Sequence, residues 1–255
     1  MVSESVMVTG CSRGLGLEMV RQLVKSASPP RLVIATCRNP EKATELRDLA
    51  QDHNCLKILK FDVVDYKSLP RLVEEVQGLL GASGLNLLIN NAAIMDTCPT
   101  QMFGVPLEQL EQQLFSRVME TNTTAPLMLT KAMLPLLRQA AKGCEGCLSV
   151  QRAAVINVST NASSMGRFTF NPDIYGYRAS KAALNMLTKA LAMEYGKEGI
   201  LFVAIHPGWV RTDMGTSAAP LNVEESISDV LKTLSNLTED HSGLLISNTG
   251  DIIPW

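Results

Sequence analysis

A tyrosine and a lysine lie four residues apart in the run Tyr177-Arg178-Ala179-Ser180-Lys181. On a helix, this spacing puts both side chains on one face, a single turn apart. A phenol with an ordinary pKa of ~10 is a poor acid–base group at neutral pH, but a neighbouring ammonium lowers that pKa. The phenol can then protonate the alkoxide that forms when a hydride reaches a carbonyl carbon. The pair predicts this chemistry for Tyr177.

Such a reaction also needs a donor that holds the carbonyl oxygen as negative charge develops on it. A predicted strand just upstream ends in Val158-Ser159-Thr160, which supplies two hydroxyls. Strands alternate their side chains between faces, so Ser159 and Thr160 should point in opposite directions. Ser164 lies further along the loop and offers a third hydroxyl.

A glycine-rich turn follows the first predicted strand and opens a predicted helix: Thr9-Gly10-Cys11-Ser12-Arg13-Gly14-Leu15-Gly16. Glycines let a backbone turn tightly and approach a pyrophosphate, and the amides at a helix N-terminus favour negative charge. Three residues separate Gly10 from Gly14, which is not the common G-x-G-x-x-G spacing. The turn still predicts a dinucleotide site with these candidate residues: Gly10, Ser12, Arg13, Gly14, Leu15 and Gly16.

The second predicted strand ends in Thr36-Cys37-Arg38, without the carboxylate that holds the ribose hydroxyls of NAD. Arg38 can instead bind a 2′-phosphate through its guanidinium group, and Arg13 could reach the same phosphate. The predicted cofactor is therefore NADP(H).

Two more strand ends supply candidate cofactor contacts. Asp62 and Val63 follow the third strand, where the carboxylate could bond an adenine amino group. The fourth strand ends in Asn90-Asn91-Ala92-Ala93, and its small residues allow a ribose to approach closely. A strand-capping turn is the alternative for both places.

Short apolar runs alternate with longer helical stretches along the chain. The predicted strands cover 6–9, 32–36, 56–61, 87–90, 153–159, 202–206 and 244–247. The predicted helices cover 15–25, 41–52, 67–80, 107–141, 177–194 and 223–235. Stretch 107–141 is long for one helix, and Pro126 and Pro135 indicate a bend or two helices in tandem. This alternation predicts one α/β domain over 1–255, a doubly wound Rossmann-type parallel sheet of about seven strands, with the substrate site in its C-terminal half.

Composition narrows the function classes. A net charge of −2 gives no basic footprint for nucleic acid. No apolar run approaches the ~18 residues of a membrane span, and residues 1–5 do not resemble a signal peptide. A cytoplasmic location is expected, with the six cysteines (Cys11, Cys37, Cys55, Cys98, Cys144 and Cys147) as reduced thiols. Cys144 and Cys147 have no second pair to complete a zinc site.

Together these motifs resemble the short-chain dehydrogenase/reductases over the whole chain. The matching elements are the glycine turn, Asn90-Asn91-Ala92, Asn122, the Ser159-Thr160 strand end, Tyr177-x-x-x-Lys181 and Pro207-Gly208. The run 175–181, the run 206–215 and the ending Ile253-Pro254-Trp255 look like sniffer-type carbonyl reductases and C-factor-like proteins.

The resemblance implies a role for each matching residue. Tyr177 would be the general acid–base, Lys181 would bind the nicotinamide ribose, and Asn122 would hold a helix bend and a proton-relay water. Four residues would line the nicotinamide: Pro207, Gly208, Val210 and Thr212.

The chain departs from the family pattern at two positions. Ala93 stands where the family has glycine, and Thr160 where it has its catalytic serine. Threonine keeps the hydroxyl but restricts its rotation. Thr160 is the favoured catalytic hydroxyl, and Ser159 and Ser164 remain alternatives.

The predicted activity is NADPH-dependent reduction of an aldehyde, ketone or quinone. Alcohol oxidation at the same site and an NADP(H)-binding regulatory protein with little turnover are the alternatives. The partner is a small carbonyl compound, and the family resemblance allows a homodimer or a homotetramer. Segments 96–105, 162–174 and 212–221 would shape the substrate pocket.

Overall fold

The computed structural model describes residues 3–96, 104–143, 146–167 and 173–255. Cys98, Cys144 and parts of two pocket-shaping segments, 96–105 and 162–174, lie outside these ranges. No helix in the described ranges is long and apolar enough to cross a membrane.

The described strands form one sheet in the order β3-β2-β1-β4-β5-β6-β7-β8. All neighbours pair in parallel except β7 and β8, which are antiparallel. The strands are β1 Ser5–Thr9, β2 Leu32–Cys37, β3 Leu56–Lys60, β4 Leu87–Asn90, β5 Ala154–Val158, β6 Leu201–His206, β7 Leu245–Ser247 and β8 Ile252–Ile253. This is the predicted doubly wound α/β fold, with one strand more than expected.

Helices cover both faces of the sheet. They are α1 Gly14–Lys25, α2 Thr44–Asp52, α3 Leu69–Leu80, α4 Gln112–Met119, α5 Ala125–Lys142, α6 Tyr175–Tyr195 and α7 Val223–Ser235. Alternate residues of the central strands supply two apolar layers. Val6 and Val8 pack with α1, α2 and α7, whereas Met7 packs with α3 and α5 on the other face. Burial on both faces explains why these strands are apolar throughout.

The long predicted helix 107–141 is two helices in tandem. Between α4 and α5 the chain forms a π-helical segment, Glu120–Thr124, in which the Ala125 N–H donates to the Glu120 carbonyl. Pro126 has no N–H, so it cannot donate to the Asn122 carbonyl as an α-helix requires. The prolines differ in effect, because Pro135 lies inside α5 without ending it.

The switch in strand order between β1 and β4 determines where a ligand can bind. From β1 the chain winds outward to β3, then returns to β4 on the other side of β1. The loops after β1 and β4 therefore diverge, and a crevice opens at the carboxyl ends of these strands. The glycine turn lies on one side of this crevice and Asn91-Ala92 on the other.

Candidate active site

The glycine turn packs tightly against the loop that follows β4. Gly10 has a φ of +74°, and a Cβ on it would lie 2.9 Å from the Ala92 Cα. A Cβ on Gly16 would lie 2.4 Å from the Gly10 carbonyl oxygen. Only glycine allows both approaches. No side chain caps the first amides of α1, so they stay available to an anion.

Thr9 and Asn91 fix the two sides of the crevice. The Thr9 hydroxyl oxygen accepts hydrogen bonds from the Asn91 and Ala92 amides, each at 3.0 Å. The Asn91 side-chain amide donates to the Thr9 carbonyl at 2.8 Å. These bonds leave the small side chains of Ala92 and Ala93 facing the opening.

A cleft of about 750 Å³ occupies this edge of the sheet. Most of the predicted site residues line it: Gly10, Ser12, Arg13, Gly14, Leu15, Gly16, Arg38, Asp62, Val63, Asn91, Ala92, Ala93, Tyr177, Lys181, Pro207 and Thr212. Four predicted residues do not line it: Asn122, Thr160, Gly208 and Val210.

The Tyr177 side chain is half-buried at the start of α6 and interacts with the Thr160 hydroxyl. Burial raises the pKa of Tyr177 to about 12, and the hydrogen bond with Thr160 lowers it in part. The net pKa of Tyr177 therefore lies above its ordinary value and not below it, as the Tyr177–Lys181 pair had led us to expect. The cost of burying a phenolate exceeds the favourable contacts, so Tyr177 is a protonated phenol at neutral pH.

Of the three candidate hydroxyls, only that of Thr160 meets Tyr177. The Ser159 hydroxyl donates to Asn185 Oδ1 at 2.6 Å. The Ser164 hydroxyl donates to the Pro254 carbonyl. Thr160 also accepts a hydrogen bond from the Ala162 amide at 3.1 Å, which fixes the orientation of its hydroxyl.

Lys181 is buried one turn after Tyr177 with 2% of its surface exposed. Its Nζ donates to the Val158 carbonyl at 2.7 Å and lies 6.0 Å from the centre of the Tyr177 ring. Burial lowers the pKa of Lys181 to about 7, because the ammonium loses its hydration. The Lys181 side chain extends from α6 and lines the cleft.

Asn122 lies behind the cleft in the π-helical segment. Its Oδ1 accepts from the Ile94 amide at 2.9 Å, and its Nδ2 donates to the Ile94 carbonyl at 2.7 Å and to the Ser180 hydroxyl at 3.0 Å. The side chain therefore joins the helix bend, the loop after β4 and α6.

The two arginines predicted for a 2′-phosphate have different surroundings. Arg38 is exposed at the end of β2 and forms no ion pair with the residues described. Arg13 pairs with Asp213 at 2.8 Å, and this pair connects the glycine turn with the loop after β6. A phosphate bound by Arg13 would therefore lie close to the Asp213 carboxylate, whereas Arg38 has no such ion pair among the residues described.

Gly208 and Val210 support the cleft without lining it. Gly208 has a φ of +90°, and Leu221 lies where its Cβ would be. Val210 is buried and pairs with Leu221 in an isolated parallel bridge. Leu221 thus contacts both Gly208 and Val210, and these contacts hold the loop after β6, which also carries Thr212.

Some residues line the cleft without having been singled out as cofactor contacts: Cys37, Phe61, Val64, Ile94, Arg117, Glu120, Thr121, Val158, Ser159, Arg211, Asp213, Met214 and Val223. Most of them adjoin a predicted residue in sequence. Arg117, Glu120 and Thr121 could have been found from their spacing of three and four residues, which puts them on one helix face.

The residues of the cleft fit a dinucleotide. The glycine turn gives the close backbone approach that a pyrophosphate needs, next to the free amides of α1. Arg38, which forms no ion pair within the described ranges, provides a cation at the position where NAD-binding folds carry a carboxylate.

Comparison with known proteins identifies the family. A family model described as short chain dehydrogenase matches residues 4–221. This chain belongs to the short chain dehydrogenase family. The match covers the glycine turn, the loop after β4 and the Tyr177–Lys181 pair, so this short chain dehydrogenase is an oxidoreductase by family.

Two solved structures of carbonyl reductases have the same fold and about two fifths of their residues identical to this chain. The carbonyl reductase Sniffer of D. melanogaster is 39% identical, has a TM-score of 0.95, and the match covers 99% of this chain and 100% of that one. An NADPH-bound carbonyl reductase from chicken fatty liver is 41% identical with a TM-score of 0.93, over 99% of this chain and 94% of that one. The C-signal protein of Myxococcus xanthus is 34% identical over 67% of this short chain dehydrogenase and 93% of its own length. Family membership and these neighbours indicate a nicotinamide cofactor.

Proposed function

We propose that this protein reduces the carbonyl group of an aldehyde, a ketone or a quinone with NADPH, using Tyr177 as the general acid. One observation carries the proposal: Tyr177 lines the same cleft as the glycine turn and Lys181, and its phenol interacts with the Thr160 hydroxyl. Carbonyl reductases among the similar structures support it.

Each residue has a distinct part in the reaction. A reduced nicotinamide, when bound in the cleft, would supply the hydride for the carbonyl carbon. Thr160 donates a hydrogen bond to the carbonyl oxygen, which stabilises the developing alkoxide. Tyr177 gives its phenolic proton to that oxygen, so the alcohol forms and a tyrosinate remains. The Lys181 ammonium lies 6.0 Å from the centre of the Tyr177 ring, and its positive charge stabilises this tyrosinate.

Tyr177 has the protonation state that a reduction requires. Oxidation needs a tyrosinate at the start of the reaction, and a pKa of about 12 makes that form rare at neutral pH. Reduction starts from the protonated phenol, which is the dominant form. Alcohol oxidation at the same site stays the alternative, because the same acid–base group serves both directions and the ratio of reduced to oxidised cofactor decides between them.

The choice of NADPH rests mainly on Arg38. A guanidinium binds a phosphate in a bidentate manner, and the two positions directly after β2 are Arg38 and Asn39, neither of which is acidic. We expect KM for NADPH to rise at least 10-fold in Arg38→Ala, since a charged hydrogen bond contributes roughly 1.5–3 kcal/mol. KM for NADH should change little. Equal use of both cofactors by the wild-type protein would refute the NADPH assignment.

The experiment that tests the activity follows NADPH oxidation with quinones, aromatic aldehydes and isatin-like diketones. Tyr177→Phe is the matched control, because it removes only the phenolic oxygen. Turnover that disappears in the variant supports the reductase. Tight NADPH binding without turnover of any compound would instead favour an NADP(H)-binding regulatory protein.

The cytoplasm is the proposed location, where the unpaired Cys11, Cys37, Cys55 and Cys147 would stay reduced.

Met186 and Met193 are exposed on α6 and give this face the apolar character of a homodimer or homotetramer interface. Light scattering of the purified protein tests the oligomer.

A further inference from the structure

The N-cap residue of the helix that carries Tyr177 provides no side-chain cap. Ile174 occupies the N-cap position of α6, and its aliphatic side chain cannot accept a hydrogen bond. The first amides of a helix have no partner within the helix, and leaving them buried and unsatisfied is costly. Among the described residues, the first backbone bond into α6 runs from the Arg178 N–H to the Ile174 carbonyl, at 3.0 Å.

A carboxylate from a distant part of the chain caps this helix instead. Asp96 Oδ2 accepts a hydrogen bond from the Gly176 amide at 2.9 Å, and Oδ1 accepts one from the Tyr177 amide at 2.7 Å. Asp96 lies beyond β4 and is fully buried. A buried anion at the N-terminus of a long helix is favoured by the helix dipole as well as by the two bonds.

A second contact joins the same two segments. The Val105 amide donates to the Asp173 carbonyl at 2.6 Å, just before α6 begins. Gly104 packs so closely against Asp173 that a Cβ on it would lie 2.1 Å from that carbonyl oxygen. The segment that follows β4 thus contacts both the entry to α6 and its first turn.

We infer that Asp96 is a positioning residue for the reaction, acting through the backbone of Tyr177. The inference rests on the proposed reductase function. The Tyr177 phenol must meet both Thr160 and the carbonyl oxygen, and displacement of a reacting group by ~1 Å can cost ~100-fold in rate. The bond from Asp96 to the Tyr177 amide holds the residue that carries the phenol. Asp96 itself touches neither Thr160 nor Lys181 in the contacts described.

Two substitutions separate geometry from general stability. Asp96→Asn keeps the shape and one acceptor oxygen, but its amide group cannot accept from the second N–H. Asp96→Ala removes both acceptors. We expect kcat to fall ~10-fold in the first variant and ~100-fold in the second, with the Kd for NADPH within twofold of wild type.

The matched control is Asn86→Ala, at the opposite end of β4. Asn86 is also a buried polar residue that ties separate segments: its Nδ2 donates to the Gln151 and Arg152 carbonyls at 2.9 and 3.0 Å. We expect this variant to lose stability to urea as Asp96→Ala does, but to keep kcat within twofold per folded molecule.

Hydrogen exchange gives a readout that does not depend on turnover. The Gly176 and Tyr177 amides should exchange at least 10-fold faster in Asp96→Ala, while amides in the middle of α6 keep their protection. A kcat in Asp96→Asn within twofold of wild type, or unchanged exchange at both amides, would overturn the inference. Absence of turnover in the wild-type protein would refute the reductase function alone, and the exchange experiment would still decide whether Asp96 holds Tyr177.

Discussion

The hydroxyl beside Tyr177 is the residue-scale feature on which the proposed chemistry depends most. Threonine restricts the rotation of its hydroxyl through its branched Cβ. In this protein, the restricted rotation of Thr160 matches its surroundings, because the Ala162 amide donates a hydrogen bond to the Thr160 hydroxyl oxygen and holds it in place. The hydroxyl can therefore serve both Tyr177 and a carbonyl oxygen without a change of rotamer.

We predict that Thr160→Ala lowers kcat on the order of 100-fold, since one oxyanion donor is lost. Thr160→Ser should restore most of the rate. Ser159→Ala removes the bond to Asn185 and should mainly cost stability, roughly 1 kcal/mol in urea unfolding. Steady-state kinetics of the three variants and of Ser164→Ala make the comparison. Full turnover in Thr160→Ala would shift the assignment to one of the serines.

Lys181 creates a conflict between stability and function. Its pKa falls from 10.5 to about 7 on folding, so between these pH values the unfolded chain binds more protons than the native protein. Wild-type stability should therefore rise with pH across this window, and the cost of burying the ammonium is largest below pH 7.

We predict that Lys181→Met is more stable than wild type at pH 6.5, by roughly 2 kcal/mol after the loss of the bond to Val158 is subtracted. The advantage should shrink as pH rises towards 9.5. Urea unfolding at both pH values measures it, and the variant should lose carbonyl reduction. A stability difference that is the same at both pH values would contradict the predicted titration of Lys181.

At the scale of elements, the contact between the glycine turn and the β4 loop determines the shape of the cofactor cleft. We predict that Gly16→Ala weakens NADPH binding on the order of 10-fold, because overpacking against the Gly10 carbonyl costs ~1–3 kcal/mol. Fluorescence titration with NADPH measures the loss.

Gly78→Ala is the control for this prediction. Gly78 lies on the exposed face of α3, and nothing lies within 4 Å of where its Cβ would be. Alanine there should stabilise the protein by ~0.5–1 kcal/mol through helix propensity, with NADPH binding unchanged. Unimpaired binding in Gly16→Ala would show that the turn relaxes and that the close packing is not required.

For the whole molecule, cofactor binding should be linked to global stability, because the turns that follow β1 and β4, the end of β2 and the first turns of α6 all line one cleft. At 100 times its Kd, NADPH should stabilise the protein by ~2.7 kcal/mol and raise Tm by roughly 5–10 °C. NADH at the same concentration should give a clearly smaller shift. In Arg38→Ala, the Tm shifts with NADPH and with NADH should be alike. Equal Tm shifts in the wild-type protein would contradict a preference for the 2′-phosphate. Differential scanning fluorimetry measures all four.

The sequence by itself determined the local features of this protein. Apolar runs and helical spacing predicted the first seven strands and the order of the helices, since both patterns follow from backbone geometry. The glycine turn and the Tyr177–Lys181 pair could be recognised because their residues lie within one turn or one loop. β8 was missed because two residues, Ile252 and Ile253, carry no usable periodicity.

Only the tertiary structure decided which hydroxyl meets Tyr177, how far burial moves the pKa values of Tyr177 and Lys181, and where the long helix widens into its π-helical segment. It also brought Asp96 to the first turn of α6, across 80 residues of sequence. These features depend on which distant segments pack together, and on the water that packing removes. Hydration and long-range contacts leave no pattern in neighbouring residues, so sequence spacing could not report them.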